Sequence, residues 1–149
     1  MMGGSVEFDF HEFENFAARF QQMADGLDGF CTQMAKQLAA ELLRKCIKRT
    51  PVDTGKLKEN WRTSAVEKVG DAYTVEVSNE TLYASYVEYG HRTAHSKGQI
   101  SVKRAKSTGQ RWVPGKFMMT ISAQEVQNSM EAKIERALAK YMEQMLDGK

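Results

Sequence analysis

Apolar residues recur at the spacing of an α-helix from Leu27 through Phe30, Cys31, Met34, Leu38 and Leu42 to Cys46, and the pattern stops before Pro51. Such a stripe commits this stretch to a long amphipathic helix that must bury one face against a partner element. Its polar side ends in Arg44, Lys45, Lys48 and Arg49, cations that suit the negative end of a helix dipole. A second stripe, Val126, Met130, Ile134, Leu138, Tyr141 and Met145, predicts a C-terminal helix over residues 120–146. Ser122-Ala-Gln-Glu125 reads as the capping box that opens it. A shorter stripe, Phe10, Phe13, Phe16 and Phe20, predicts a separate acidic N-terminal helix within residues 1–26, broken near Asp25-Gly26.

Between the stripes the period changes. Residues 63–69 and 73–77 are rich in Val, Thr and Tyr and predict two strands around a Gly70-Asp71 turn. Residues 84–89 predict a short helix. Residues 91–111 show no periodicity and predict a long basic loop, a length that in a compact domain marks either a binding element or disorder. The expected architecture is α+β: N-terminal helices, a small antiparallel β-sheet, the long basic loop and the C-terminal helix, as one domain over residues 1–149.

The net charge of +2 conceals a strong asymmetry. Residues 1–29 carry a net −5, whereas residues 89–124 hold seven bases (Arg92, Lys97, Lys103, Arg104, Lys106, Arg111 and Lys116) and no acid. An acid-free stretch of that length makes a positive field that attracts phosphate or an acidic partner. No run of apolar residues exceeds three, so no bilayer span and no secretory apolar region is expected. With 42% hydrophobic and 27% charged residues, the composition is that of neither a disordered nor a collagen-like chain. The two cysteines, Cys31 and Cys46, fall on one helix roughly 22 Å apart. That is beyond disulfide reach, so they read as small buried residues or free thiols.

Few residues offer chemistry. Asp53-Thr54-Gly55 matches the triplet of aspartic proteases but lacks the apolar strand that would precede it. It follows Arg49-Thr50-Pro51, and Asp53 reads as the N-cap of a short helix. His91 and His95 have i, i+4 spacing, yet flanking Gly90 and Gly98 argue for a loop and no third ligand is evident, so no metal is expected. His11 is isolated, and no phosphate-cradling loop or nucleophilic triad is present. The expectation is a protein without catalytic residues or cofactor. Cations beside Tyr83, Tyr86, Tyr89 and Trp112 suit single-stranded nucleic acid, although the tyrosines precede the basic residues rather than interleave with them. A small nucleic-acid-binding protein without sequence readout, using residues 92–116, is therefore the alternative function.

Three blocks together suggest a family. Thr50-Pro51-Val52-Asp53-Thr54-Gly55-Lys56-Leu57 resembles the signature T-P-V-D-T-G-x-L, and residues 83–90 resemble the block Y-A-x-Y-V-E-x-G that follows it. Residues 112–118 look like the proline-and-aromatic segment before the last helix, with Gly115-Lys116 replacing the Ala-Arg-Pro part of its more usual form. In order and spacing the blocks resemble, over about residues 27–146, the Hong Kong 97-type tail-component family of tailed bacteriophages. The resemblance implies a structural virion protein of the tail neck, made in the host bacterial cytoplasm, that completes the tail and joins it to the head. It further implies a homo-oligomer, expected as a hexameric ring, meeting neck or head-completion proteins and the tail tube or terminator. DNA passing through the channel is a further contact. Pro51, Asp53, Thr54 and Gly55 then form a structural turn. Tyr83, Tyr86, Tyr89, Arg92, Lys103, Arg104, Lys106, Arg111 and Trp112 become candidate contact residues, as do the apolar faces of the first and last helices.

Overall fold

The computed structural model describes residues 11–92 and 112–147, and its frame is a pair of antiparallel helices. Helix α1 (His11–Arg49) runs 39 residues, about 58 Å, and takes in the whole Leu27–Cys46 stripe. The break expected at Asp25-Gly26 does not occur. A glycine inside a helix costs about 1 kcal/mol relative to alanine, but here it creates room. A Cβ on Gly26 would overlap the Tyr141 hydroxyl. With only hydrogen there, Tyr141 donates to the Met23 carbonyl at 2.8 Å and packs its ring 5.1 Å from that of Phe30. Phe10 and the side chain of Phe13 lie outside the described residues, while Phe16 and Phe20 stack one turn apart on the same continuous helix.

The second long helix, α4 (Met118–Leu146), returns along α1. From one end to the other, Glu125 pairs with Lys45 (2.8 Å) and Arg49, Lys133 pairs with Glu41, and Arg19 donates to the Leu146 carbonyl at 3.0 Å. The start of α4 corrects the capping-box reading. Ser122 lies a turn inside the helix, fully buried, donating to the Met118 carbonyl at 2.5 Å and accepting from Arg49 at 3.2 Å. Ser122 and Glu125 thus join α4 to α1 rather than cap α4.

Between the helices the chain forms α2 (Lys56–Glu59) and four three-residue strands, β1 (Trp61–Thr63), β2 (Glu67–Val69), β3 (Ala72–Thr74) and β4 (Val77–Asn79). β1 pairs with β4, and β2 pairs with β3 across Gly70-Asp71, all antiparallel. The two strands expected from sequence are therefore the arms of one hairpin, each interrupted midway. At the interruption Ser64 takes over the pairing: its N–H donates to the Glu76 carbonyl and its hydroxyl accepts from the Glu76 N–H, both at 2.8 Å. The tip is tied to α1 by Asp28, which accepts from the Tyr73 hydroxyl at 2.6 Å and from Lys68 at 2.9 Å.

Helix α3 (Ala84–Tyr89) forms where expected and runs into β5 (Gly90–Arg92), which pairs with β6 (Trp112–Pro114). The densest packing gathers Cys46, Leu57, Trp61 and Met118, with Leu42, Ile47, Val77, Ala84 and Val87 around them. Both cysteines are free, and burial pushes the Cys46 thiol up. Among the described residues no helix is long and apolar enough to cross a membrane.

Candidate assembly surface

The three sequence blocks, 50–57, 83–90 and 112–118, converge where α1 ends and α4 begins. Thr50 is buried, and its hydroxyl is used in both directions: it donates to the Cys46 carbonyl at 2.6 Å and accepts from the Trp61 indole N–H at 2.8 Å. The chain then leaves the core. Pro51, Val52, Asp53 and Thr54 are all exposed, Val52 at 67%. It re-enters through Gly55, whose φ of +83° is a left-handed conformation that glycine adopts without strain. Gly55 is the N-cap of α2 and carries no side chain to cap it, so the role expected for Asp53 is corrected. Thr54 accepts a long 3.4 Å bond from the Lys56 N–H instead.

The second block holds the residue on which the start of α4 depends. Glu88 is 6% exposed, and its carboxylate accepts from the Met119 N–H (2.9 Å), the Thr120 N–H (2.8 Å) and the Thr120 hydroxyl (2.7 Å). Those N–H groups are among the donors that the first turn of a helix leaves without partners, and the positive end of the helix dipole favours the anion. The residue preceding α4, Phe117, has φ +49° and no side-chain cap of its own, so the cap comes from α3. In the sequence Glu88 stands out only as the acid of the block Y-A-x-Y-V-E-x-G. Nothing local to residues 112–122 signals a cap that arrives from about thirty positions upstream.

Two glycines let the blocks cross. A Cβ on Gly90 (φ +87°) would lie 2.6 Å from the Val113 carbonyl, and one on Gly115 would overlap the Glu88 carbonyl. At this crossing the Lys116 N–H donates to Val87 at 2.7 Å and the Phe117 N–H to Glu88 at 3.1 Å. Gly115, the departure from the usual third block, is thus the residue the crossing demands.

With Ala84 and Val87 turned to the core and Glu88 to α4, α3 sends its remaining large side chains outward. Tyr83, Tyr86 and Tyr89, three apart, are 41%, 58% and 65% exposed. Leu82 beside them is 96% exposed, and Trp112 is half exposed opposite Arg92 in the β5–β6 ladder. His91 packs edge-on to Tyr86, and its Nδ1 is buried with no protein partner. The structure therefore leaves Tyr83, Tyr86 and Tyr89 exposed along α3, and Arg92 and Trp112 exposed as cross-strand partners at the root of the acid-free segment. Lys97, Lys103, Arg104, Lys106, Arg111 and His95 lie outside the described residues. Among the described residues no three His, Cys, Asp or Glu side chains converge as metal ligands.

A family model described as "Bacteriophage HK97-gp10, putative tail-component" matches residues 14–90, ending on the glycine of the second block. The chain belongs to this family. The match takes in the first two blocks and most of α1, begins earlier than residue 27, and leaves residues 112–118 outside. No curated protein and no solved structure matches the chain. Within this phage tail-component family, Thr50, Gly55, Leu57, Glu88 and Gly90 act in this chain as parts of the fold, while the tyrosines between them face outward.

Proposed function

We propose that this chain is a non-catalytic structural protein of the phage tail neck, assembling as a ring at the head-proximal end of the tail for tail completion and head–tail joining. The observation that carries the reading is the exposed row Tyr83, Tyr86 and Tyr89 along α3, with Trp112 and Arg92 exposed on the adjoining β5–β6 ladder, in a member of a tail-component family. A row of exposed aromatics with an arginine is the composition of a protein interface rather than of a solvated face. Its partners in this reading are further copies of the chain, adjacent neck or head-completion proteins and the tail tube or terminator, and its place is the virion. The basic segment faces either a neighbouring protein or DNA in the channel.

The test is the solution mass of the chain, alone and with the tail-tube protein, beside DNA retention measured across salt concentrations. A discrete ring with weak binding to free DNA is the expected result. A monomer that binds DNA with a steep salt dependence, lost on neutralising Lys103, Arg104 and Lys106, would replace this reading with nucleic-acid binding through residues 92–116.

A further inference from the structure

The carboxyl half of α1 and the stretch of α4 facing it carry charges that the fold does not balance. Two adjoining hollows between the helices, about 570 and 810 Å³, share Glu41, Arg44 and Lys133 and together make one open trough. Its walls hold seven cations and two carboxylates. Glu125 answers Lys45 and Arg49, and Glu41 answers Lys133. Arg44, Lys48, Arg136 and Lys140, all exposed, have no carboxylate partner among the described residues. The other acids of α4, Glu131, Glu135 and Glu143, are not among the walls.

The needs of the helices account for only part of this charge. Lys48 and Arg49 lie in the last turn of α1, where the dipole favours cations, but Arg136 and Lys140 stand well inside α4. Arg44 with Lys48, and Arg136 with Lys140, are like charges four residues apart, pairs that weaken a helix rather than support it. The whole chain is only +2, so an excess of five positive charges in one trough is a local concentration. A concave wall of one sign focuses the field above it.

We propose that this trough is a contact surface for the phosphate backbone of duplex DNA, separate from the acid-free segment at residues 92–116. The inference rests on the ring reading above for the meeting with DNA and names the face that each subunit turns to it. The lining selects the occupant. Four of the seven cations are lysines, and the apolar wall residues, Met34, Leu38, Ala40 and Ala137, include no ring. Protein interfaces are depleted in lysine and enriched in aromatic side chains. Single strands are held by bases stacked on rings, so an aromatic-free trough favours the duplex. From Met34 to Arg49 the trough follows α1 for about 22 Å, the length of roughly six base-pair steps. Side chains four apart on a helix are about 6 Å apart along its axis, close to two phosphate steps of one strand. Contacts of this kind neutralise phosphates and read no sequence.

The test is retention of the full chain on a short mixed-sequence duplex across a salt series, with light-scattering mass measured beside it. Replacing Arg44→Gln, Lys48→Gln, Arg136→Gln and Lys140→Gln together removes four phosphate contacts. The slope of log affinity against log salt should then fall by about 3 to 4, and low-salt binding should weaken roughly tenfold or more, with the ring mass kept. A second variant removes as many charges from the acid-free segment (Lys103→Gln, Arg104→Gln, Lys106→Gln and Arg111→Gln) and should lower the slope by less. Circular dichroism checks that both fold. Arg136→Gln with Lys140→Gln replaces the fourfold trough variant if it does not, with an expected fall of about 2 in slope. An unchanged slope in the trough variant, or an equal or larger fall in the segment variant, overturns the proposal while leaving the ring intact. A wild-type ring with no measurable retention on the duplex overturns it too. Loss of the ring mass in the trough variant with retention kept reassigns the trough to a second copy and also overturns it. A wild-type chain monomeric throughout removes the ring reading itself, and the slope then still decides the trough.

Discussion

The two ends of the α1–α4 pair are built on different terms. Where α1 ends, a buried threonine hydroxyl joins α1 to β1, a buried carboxylate joins α3 to α4, and two glycines let β5 and β6 cross closely. Where α1 begins, two stacked phenylalanines stand half exposed, and among the described residues the hydrogen bonds at this end between α1 and α4 are single ones from Arg19 and Tyr141. At the first end the buried Thr50 hydroxyl and Glu88 carboxylate are answered by the same chain, whereas at the second the Phe16 and Phe20 rings stand half exposed. That contrast separates residues that hold the fold together from residues the fold leaves exposed, and the family match spans both kinds.

The packed end should be the fragile one. Gly90→Ala forces a left-handed φ on a residue with a Cβ and drives that atom onto the Val113 carbonyl, which is backbone and cannot turn aside. The conformational cost of about 1–2 kcal/mol and an overpacking cost of about 1–3 kcal/mol together predict a loss near 3 kcal/mol. Thermal or denaturant unfolding should show it as a large fall in midpoint. A midpoint unchanged by the substitution would mean that β5 and β6 do not cross this closely.

Glu88→Ala comes next. It strips the cap from α4 and leaves the Met119 and Thr120 donors without a partner, with an expected cost of about 2–4 kcal/mol. Glu88→Gln keeps an acceptor oxygen and should lose roughly half as much in the same measurement. If the two variants unfold alike, the anion at the positive end of the helix is not what holds α4 in place.

These two residues also mark where the sequence was readable. The stripes of α1 and α4 were legible because a face buried along a whole helix repeats every three or four residues. The outward tyrosines follow from the same spacing on α3, whose other face carries Ala84 and Val87. What escaped was each junction satisfied from a distance. Gly26 reads as a breaker until Tyr141 is seen above it, more than a hundred positions away. Ser122 and Glu125 read as a capping box until Arg49 and Lys45 claim them, and the true cap, Glu88, sits in another motif. Asp53 reads as a cap because its type is right, but the backbone turn at Gly55 takes the position. Local pattern reports what a segment does with its own neighbours, and these residues bond across elements.

The hairpin tip gives a smaller, reversible effect. Asp28 is held below its ordinary 3.8, first by the hydrogen bond from Tyr73 and then by Lys68, while Lys68 and Tyr73 are both raised, chiefly by Asp28. A lowered carboxylate stabilises docking above its unfolded value and loses that contribution as pH falls through the lowered one. Raised Lys68 and Tyr73 stabilise below their unfolded values, near 10, and lose that as pH rises through the raised ones. The β2–β3 tip should therefore stay docked from about pH 5 to 9 and loosen outside both limits. All three groups are exposed to water, so the change should be seen in Tyr73 resonances and tip amide exchange rather than in global unfolding. Asp28→Asn should remove the acid limb, and a tip that loosens identically in that variant would place the cause elsewhere.

The smallest expected effect on folding belongs to the bare end, and its smallness is the point. Phe16→Ser with Phe20→Ser removes rings that are half in water and stack on each other at 6.4 Å. Within a dilute monomer each substitution should change stability by no more than about 0.5 kcal/mol, the range of surface positions away from caps and cores. A native unfolding midpoint at low concentration, beside a lost concentration dependence of that midpoint, would separate a surface kept for a neighbour from one kept for the fold. A large fall in the monomer's midpoint would instead mean that these rings already belong to the subunit's own packing, and the contrast between the two ends would close.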